Sequence, residues 1–269
     1  MAAMGALRSV NGVELYVEEH GDGAPILCVH ATGSAAWMWE DALPALARHG
    51  RVIAYDRRGC ARSPLPKGYE RTSPAEQAGD AAALLEDLGA APAVVIGRSY
   101  GGDIAVELAL RRPELVRALA LLEGAPSSLS PAAAAWERSL DEVVIEAAAL
   151  AGIGVVGQTL IDGVFGTGAW LSFPEVVQRL FTDNGPAILA EVRGGGLQVD
   201  RTAVAMLQQP VLVIAATASH PAFREAAEAF AAASPDARLR VVGGDHIVDP
   251  ASPEVLAFLA EVLGGAGGG

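Results

Sequence analysis

The residues Gly97-Arg98-Ser99-Tyr100-Gly101 carry the first chemical signal. An apolar run, Ala93–Gly97, leads into them, and a helical stretch, Tyr100–Arg111, leads out. A serine on so sharp a strand-to-helix turn projects its Oγ, and the glycines leave room for the turn and for close packing of helix on strand. The N-terminus of the helix beneath it favours negative charge on a bound intermediate. The competing reading is a glycine-rich turn with an idle serine; the strand before it and the helix after it weigh against that. A serine hydroxyl becomes a nucleophile only with a base beside it. Of five histidines, His246 stands in GGDHIVDPASPEVLAFL, past the last apolar run and before the last helix, at the same sheet edge as Ser99. His20 and His49 close a strand and a helix and read as solvated surface.

Glu123 raises a question of energetics. Ala118–Leu122 is an unbroken apolar run, then comes Glu123, and Gly124 and Pro126 stop the strand. A carboxylate at the edge of a core is costly unless something pairs with it. Its place, one strand beyond Ser99 and at the same edge, makes His246 a candidate partner. Asp245 and Asp249 are rivals for His246 by proximity in sequence, and a water or no acid at all is a further alternative. Asp245 adjoins His246 on one loop, so its side chain is expected to point away.

The elements that must hold these residues follow from the hydropathy pattern. Asn11-Gly12 between ALRSV and VELYVEEH is the signal of a two-residue hairpin. After it, apolar runs at Pro25–His30, Arg51–Tyr55, Ala93–Gly97, Val116–Glu123, Gln209–Ala215 and Arg238–Val242 alternate with helical stretches at Ala35–His49, Pro74–Leu88, Tyr100–Arg111, Pro221–Ala233 and Pro253–Leu263. Continuously apolar strands alternating with helices mean a parallel sheet covered on both faces. Ser73-Pro74 with Glu76, and Ser252-Pro253 with Glu254, are helix starts. The alternation breaks between Pro126 and Met206, which holds Trp136, Phe165, Trp170, Phe173 and Phe181 and helical pieces near 131–151, 153–164, 174–182 and 186–193, with no convincing strand. Such an insertion reads as a cap over the sheet's carboxyl edge, where ligands bind in open α/β sheets.

Composition sets limits. The 269 residues are 51% hydrophobic, enough for a large core. A net charge of −13 argues against nucleic acid as a partner, because phosphate binding needs a basic face. Cys28 in an apolar run and Cys60 in a polar loop do not make a disulfide framework, and a reducing cytoplasm is the expected compartment. The start MAAMGALRSVNG lacks the basic and apolar regions of a secretory signal. The longest weakly apolar run, Ala147–Gly157, falls short of the about 20 residues that a membrane span requires. The end, 265–269, reads as a flexible Gly-rich tail.

Four motifs together resemble the α/β-hydrolase family. LCVHATGS is similar to its His-Gly loop after the third strand, VIAYDRRGCARS to its D-x-R-G-x-G-x-S turn, IGRSYGG to its nucleophile elbow and GGDHIVDPASPEVLAFL to its closing histidine segment. The resemblance covers about 7–124 and 207–263. Two positions depart from it: Ala31 and Ala61 stand where the family has Gly. Neither removes a chemical group, and both ask for a different backbone geometry. The resemblance implies an oxyanion hole made by the backbone N–H groups of Tyr100 and Thr32. It implies structural roles for His30, Asp56 and Arg57. The family most often carries its triad acid after the strand that follows the cap, but QPVLVIAATASHP is empty there, with no carboxylate from Thr202 to His220. Some members resemble this chain in placing the acid where Glu123 stands, haloalkane dehalogenases among them; those carry Asp at the elbow, where this chain has Ser99.

The expected architecture is therefore α/β: an α/β-hydrolase fold with a mostly parallel eight-stranded sheet, helices on both faces and an inserted helical cap. Residues 1–125 and 206–264 form the core and 126–205 the cap. The expected chemistry is that of a serine hydrolase cleaving a small uncharged ester or lactone, with Ser99 as nucleophile, His246 as base and Glu123 as acid. Trp37, Trp39, Phe165, Trp170 and Phe173 are candidate pocket residues, and the scarcity of charge in the cap points to an uncharged substrate. No metal or organic cofactor is implied. The expected partner is a small-molecule substrate, and a homodimer is the assembly to test for. Rival readings are a carbon–carbon bond hydrolase, a non-hydrolytic lyase or cyclase of secondary metabolism, and a ligand receptor with slow turnover.

Overall fold

The computed structural model describes residues 5–264; the tail at 265–269 lies outside the described residues. The hairpin forms as β1 (Ala6–Val10) and β2 (Val13–His20), with Asn11 and Gly12 at φ 48° and 76° in the turn. Both residues of a type I′ turn require positive φ, which explains the Asn-Gly pair. The strands β3 (Pro25–Val29), β4 (Arg51–Tyr55), β5 (Ala93–Arg98), β6 (Val116–Leu122), β7 (Val211–Ala216) and β8 (Ala237–Val242) follow. The sheet has eight strands in the order β1-β2-β4-β3-β5-β6-β7-β8. The β1–β2 and β2–β4 pairings are antiparallel and all others parallel.

Both faces of the central strands are dry, which is why they read as continuous apolar runs. On β5 and β6, Val95, Leu119 and Leu121 enter one core, and Val94, Ile96, Ala118, Ala120 and Leu122 enter the other. Helices α2 (Pro74–Asp87), α3 (Tyr100–Arg111) and α9 (Pro221–Ala233) cover the first face, and α1 (Leu43–Leu46) and α10 (Pro253–Gly264) the second. The helix expected over Ala35–His49 is broken into a 3₁₀ turn, Ala36–Trp39, and the short α1. Pro44 lacks an N–H, and its ring would clash with the carbonyl four residues back, so a helix begun at Ala35 cannot continue through it, whereas the first turn of α1 accommodates it.

Between β6 and β7 the chain is helical: α4 (Pro131–Ala151), α5 (Val156–Phe165), α6 (Glu175–Asp183), α7 (Gly185–Gly194) and α8 (Arg201–Ala205), with no strand among the described residues. Ser130 and Asp200 cap α4 and α8 by accepting from Ala133 N and Ala203 N. Val144, Val156, Ile161, Phe181 and Ile188 form a separate apolar cluster, against which Trp37 and Met38 of the β3–α1 connection pack. Both cysteines are buried as free thiols; Cys60, expected in a polar loop, has no exposed surface.

Two glycines let α3 approach the strands. A Cβ at Gly101 would collide with the Val29 carbonyl, and one at Gly102 with the Gly124 carbonyl. Gly102→Ala is therefore expected to lower stability by about 1–3 kcal/mol. Urea denaturation should show this as a lower midpoint at unchanged slope. Gly154→Ala, where an added Cβ meets nothing, should stay within about 0.5 kcal/mol; equal midpoints for the two variants would refute the packing argument.

Candidate active site

Ser99 joins β5 to α3 with φ 50° and ψ −126°. A non-glycine residue at positive φ carries about 1–3 kcal/mol of strain, so the surroundings must impose it. They do so through Ser99 N donating to Leu122 O at 3.1 Å and Gly102 N donating to Ser99 O at 2.7 Å. The preceding residue ties the elbow to the histidine loop: Arg98 Nη2 donates to Val248 O at 2.6 Å, and its guanidinium lies over the Trp39 ring. Burial pushes the Arg98 pKa down to about 10.

Glu123 meets His246. Its Oε2 lies 3.1 Å from His246 Nδ1, and Oε1 accepts from Ala216 N at 2.5 Å. The carboxyl group is 2% exposed, and Glu123 also has positive φ, 50°. The rivals are engaged elsewhere: Asp245 Oδ1 accepts from Ile247 N, and Asp249 Oδ1 from Ala251 N. Phe223 stacks its ring 4.0 Å from the His246 ring, at a 32° tilt. Ser99 and His246 line one cavity, and no hydrogen bond joins them among the described residues. Such bonds are often long without substrate and tighten in the reacting complex.

The loop after β3 is held by a buried polar network. His30 Nε2 accepts from Arg57 N at 2.9 Å, so a neutral ring carries its proton on Nδ1 and donates to Ala31 O at 2.8 Å. Burial first, and the Arg57 charge second, hold the His30 pKa well below its usual value. With that tautomer the 3.4 Å approach of Arg57 Nε to Nδ1 is not a second hydrogen bond. Arg57 Nη2 also donates to Ala31 O, at 2.9 Å, and Nη1 donates to Gln77 and to Glu191 at 2.5 and 2.6 Å. Asp56 accepts from Ala36 N and Arg62 N. Ala61, at a position where the family has Gly, has φ 49°, and its N–H donates to Asn184 Oδ1 at 2.8 Å. Asn184 Nδ2 in turn donates to Gly33 O and Ser34 O. Neither Thr32 N nor Tyr100 N has a partner among the described residues, and both residues line the cavity beside Ser99.

A family model described as the alpha/beta hydrolase fold matches residues 24–248. The chain belongs to the α/β-hydrolase family. Over 119 residues it is 35% identical to a 2-hydroxymuconate semialdehyde hydrolase of a Pseudomonas strain, a match over 42% of this chain and 41% of that one. The chain spans less than half the length of the curated relatives it matches. Among solved structures, a thermophilic esterase from Thermogutta terrifontis superposes with a TM-score of 0.76 at 25% identity, over 97% of this chain and 100% of that one. A hydrolase from Pseudomonas aeruginosa superposes at 0.74 and 28%, over 98% of each chain.

As in an α/β-hydrolase, a cavity of about 160 Å³ lies between the carboxyl edge of the sheet and the inserted helices. Of the five aromatics expected there, Phe165 and Phe173 line it. Trp39 does not: it is 1% exposed, buried in the core under Arg98. Trp37 and Trp170 pack into the apolar cluster of the insertion instead. Trp136, Phe181 and Phe223 were not foreseen as lining. Phe223 lies just past QPVLVIAATASHP, the stretch without a carboxylate.

The expectation that scarce charge in the insertion leaves the pocket uncharged is corrected. Asp103 of α3 and Glu137, Asp141 and Glu191 of the inserted helices all line the cavity. Only Glu137 and Asp141 lie near one another in sequence, on one helix, so the convergence of the four leaves no trace there. Asp103 accepts from Leu197 N at 2.9 Å, and Glu137 accepts from Ser127 Oγ. Burial is the largest cause raising the pKa of Asp103, Glu137 and Asp141. Asp141, with Glu137 as a further cause, is raised to about 7. The folded chain thus keeps a proton on Asp141 that the unfolded chain releases above the ordinary carboxylate range. This contribution to stability is greatest at low pH and falls as pH rises through about 7. Urea midpoints of wild type and Asp141→Asn at pH 5, 6.5 and 8 check the sign. The variant should gain on wild type as pH rises, whereas parallel curves would refute it.

Proposed function

We propose that the protein is a serine hydrolase that cleaves a small ester or lactone through an acyl-enzyme. The observation that carries this reading is the Glu123–His246 contact in the cavity that Ser99 enters from a strained turn. Ser99 Oγ attacks the substrate carbonyl, and His246 Nε2 takes its proton. Glu123 holds Nδ1, fixing the ring orientation and stabilising the imidazolium that forms. The oxyanion is met by the N–H groups of Thr32 and Tyr100; each such donor is worth about 2.7–4 kcal/mol. His246 returns the proton to the leaving alkoxide, and water, activated by the same imidazole, releases the acid. The segment 126–205 serves as the cap that excludes bulk water and shapes the pocket. A cavity of about 160 Å³ suits a substrate of modest size, and the esterase among the structural neighbours supports the ester class.

Intact mass after treatment with a fluorophosphonate should show one adduct on wild type and none on Ser99→Ala; a full adduct on the variant would end this reading. Glu123→Gln keeps the shape and the acceptor for Ala216 N but loses the charge. Against p-nitrophenyl esters it should fold normally and lose roughly 10²–10⁴ in kcat with KM little changed. Asp249→Asn should remain near wild type. The reverse order of effects would move the acid to Asp249.

A further inference from the structure

The oxyanion donor on Thr32 belongs to the peptide that links Ala31 to Thr32. In a trans peptide the C=O and the N–H point in opposite directions, so whatever holds the Ala31 carbonyl also aims the Thr32 N–H. Three donors hold that carbonyl: Ser34 N at 3.2 Å, His30 Nδ1 at 2.8 Å and Arg57 Nη2 at 2.9 Å. The first closes a turn with Gly33 at φ 67° in its third position, as a type II turn requires. The guanidinium is the charged member of the set; Arg57 is 1% exposed, and its guanidinium carbon lies 5.3 Å from the centroid of the Tyr100 ring. Its counter-ion comes from the inserted helices: Glu191 of α7 engages both Arg57 Nη1 and Nη2, at 2.6 and 3.2 Å, and is itself 2% exposed.

A buried ion pair is weak evidence for stability, since well-packed apolar residues often serve as well. A bidentate arginine–carboxylate pair does, however, fix direction. We infer that Glu191 and Arg57 are positioning residues for the reaction: the inserted helices, through Glu191, set the Arg57 fork on the Ala31 carbonyl and thereby aim the Thr32 N–H at the developing oxyanion. The guanidinium also polarises that peptide, which strengthens its N–H as a donor. The oxyanion hole is then completed by the cap and is not a property of the core alone. Asn184 acts on the same loop from the same side, through Gly33 O and Ser34 O. This inference rests on the serine-hydrolase reading.

The test uses the full chain, p-nitrophenyl esters and an alkyl boronic acid, whose tetrahedral adduct mimics the oxyanion. Glu191→Gln leaves an acceptor but removes the charge. It should lower kcat by roughly 10–100-fold, keep KM within about threefold, and weaken the boronic acid by the same factor as kcat/KM. A merely structural role would not move kcat and boronic acid affinity together. If Glu191→Gln does not fold, the paired replacement Arg57→Met with Glu191→Leu removes both charges together and decides the matter by the same readouts. Unchanged kcat, or a rise in KM alone, overturns the inference. Those outcomes leave Ser99-dependent activity and fluorophosphonate labelling intact. Loss of the serine-hydrolase reading would instead appear as labelling and turnover that survive Ser99→Ala.

Discussion

Glu123 is a carboxyl group placed at the end of a buried strand, 2% exposed, and much of the molecule is arranged around that fact. Such a group is tolerated only with both oxygens engaged. Here one oxygen takes a backbone N–H from β7 and the other meets His246. The first bond ties β6 to its neighbour at the edge where the chain leaves the sheet. The second reaches a loop 123 residues later. Positive φ at both Ser99 and Glu123 turns two successive strands sharply at the same edge. That places the Ser99 hydroxyl and the Glu123 carboxyl group at one sheet edge, the carboxyl group against the His246 imidazole and the serine lining the same cavity. The strain at each is held by main-chain bonds: Ser99 N donates to Leu122 O, and Glu123 N donates to Ile214 O of β7.

The second organising feature is polar contact between the insertion and the core. An apolar cluster holds the inserted helices to one another, but two of their buried polar residues, Asn184 and Glu191, reach into the loops after β3 and β4. This resolves the departures from the family pattern. Ala61 adopts the backbone conformation that glycine would take at lower cost, and the Asn184 carboxamide accepts its N–H. Ala31 needs no special conformation, because Gly33 provides the positive φ of the turn. The strain of a missing glycine is thus accompanied by a hydrogen bond from Asn184, 123 residues away between α6 and α7.

The folding pattern and the chemical cast were legible from local signals. Unbroken apolar runs, the Asn-Gly hairpin, capped helix starts and the serine between glycines each depend on residues within a few positions of one another. Most strand and helix limits read that way agree with the structure to within one or two residues. The exception, the stretch 35–49, went to Pro44, whose effect was local but was outweighed by the alanine-rich pattern around it. Glu123 was also legible, because a charge closing an apolar run is a local anomaly with an energetic meaning.

What tertiary structure decided is everything set by approach of distant segments. Which acid meets His246 depended on where Asp245 and Asp249 spend their oxygens, and both spend them on their own loop. Which aromatics line the cavity depended on the rotation of each inserted helix, and three tryptophans expected there face the core or the apolar cluster instead. Asp103 met Glu137 and Asp141 of α4 only where the folded chain brings them to one cavity, and Glu191 found Arg57 across 134 residues. The sequence by itself determined the sheet, its helices and which serine, histidine and carboxylate stand as candidates for the chemistry, because those follow from periodicity and from chemistry that only a few residue types can perform. The shape and charge of the pocket, and the hold of the insertion on the loop after β3, were decided by the fold, because long-range pairing leaves no local trace in residue order.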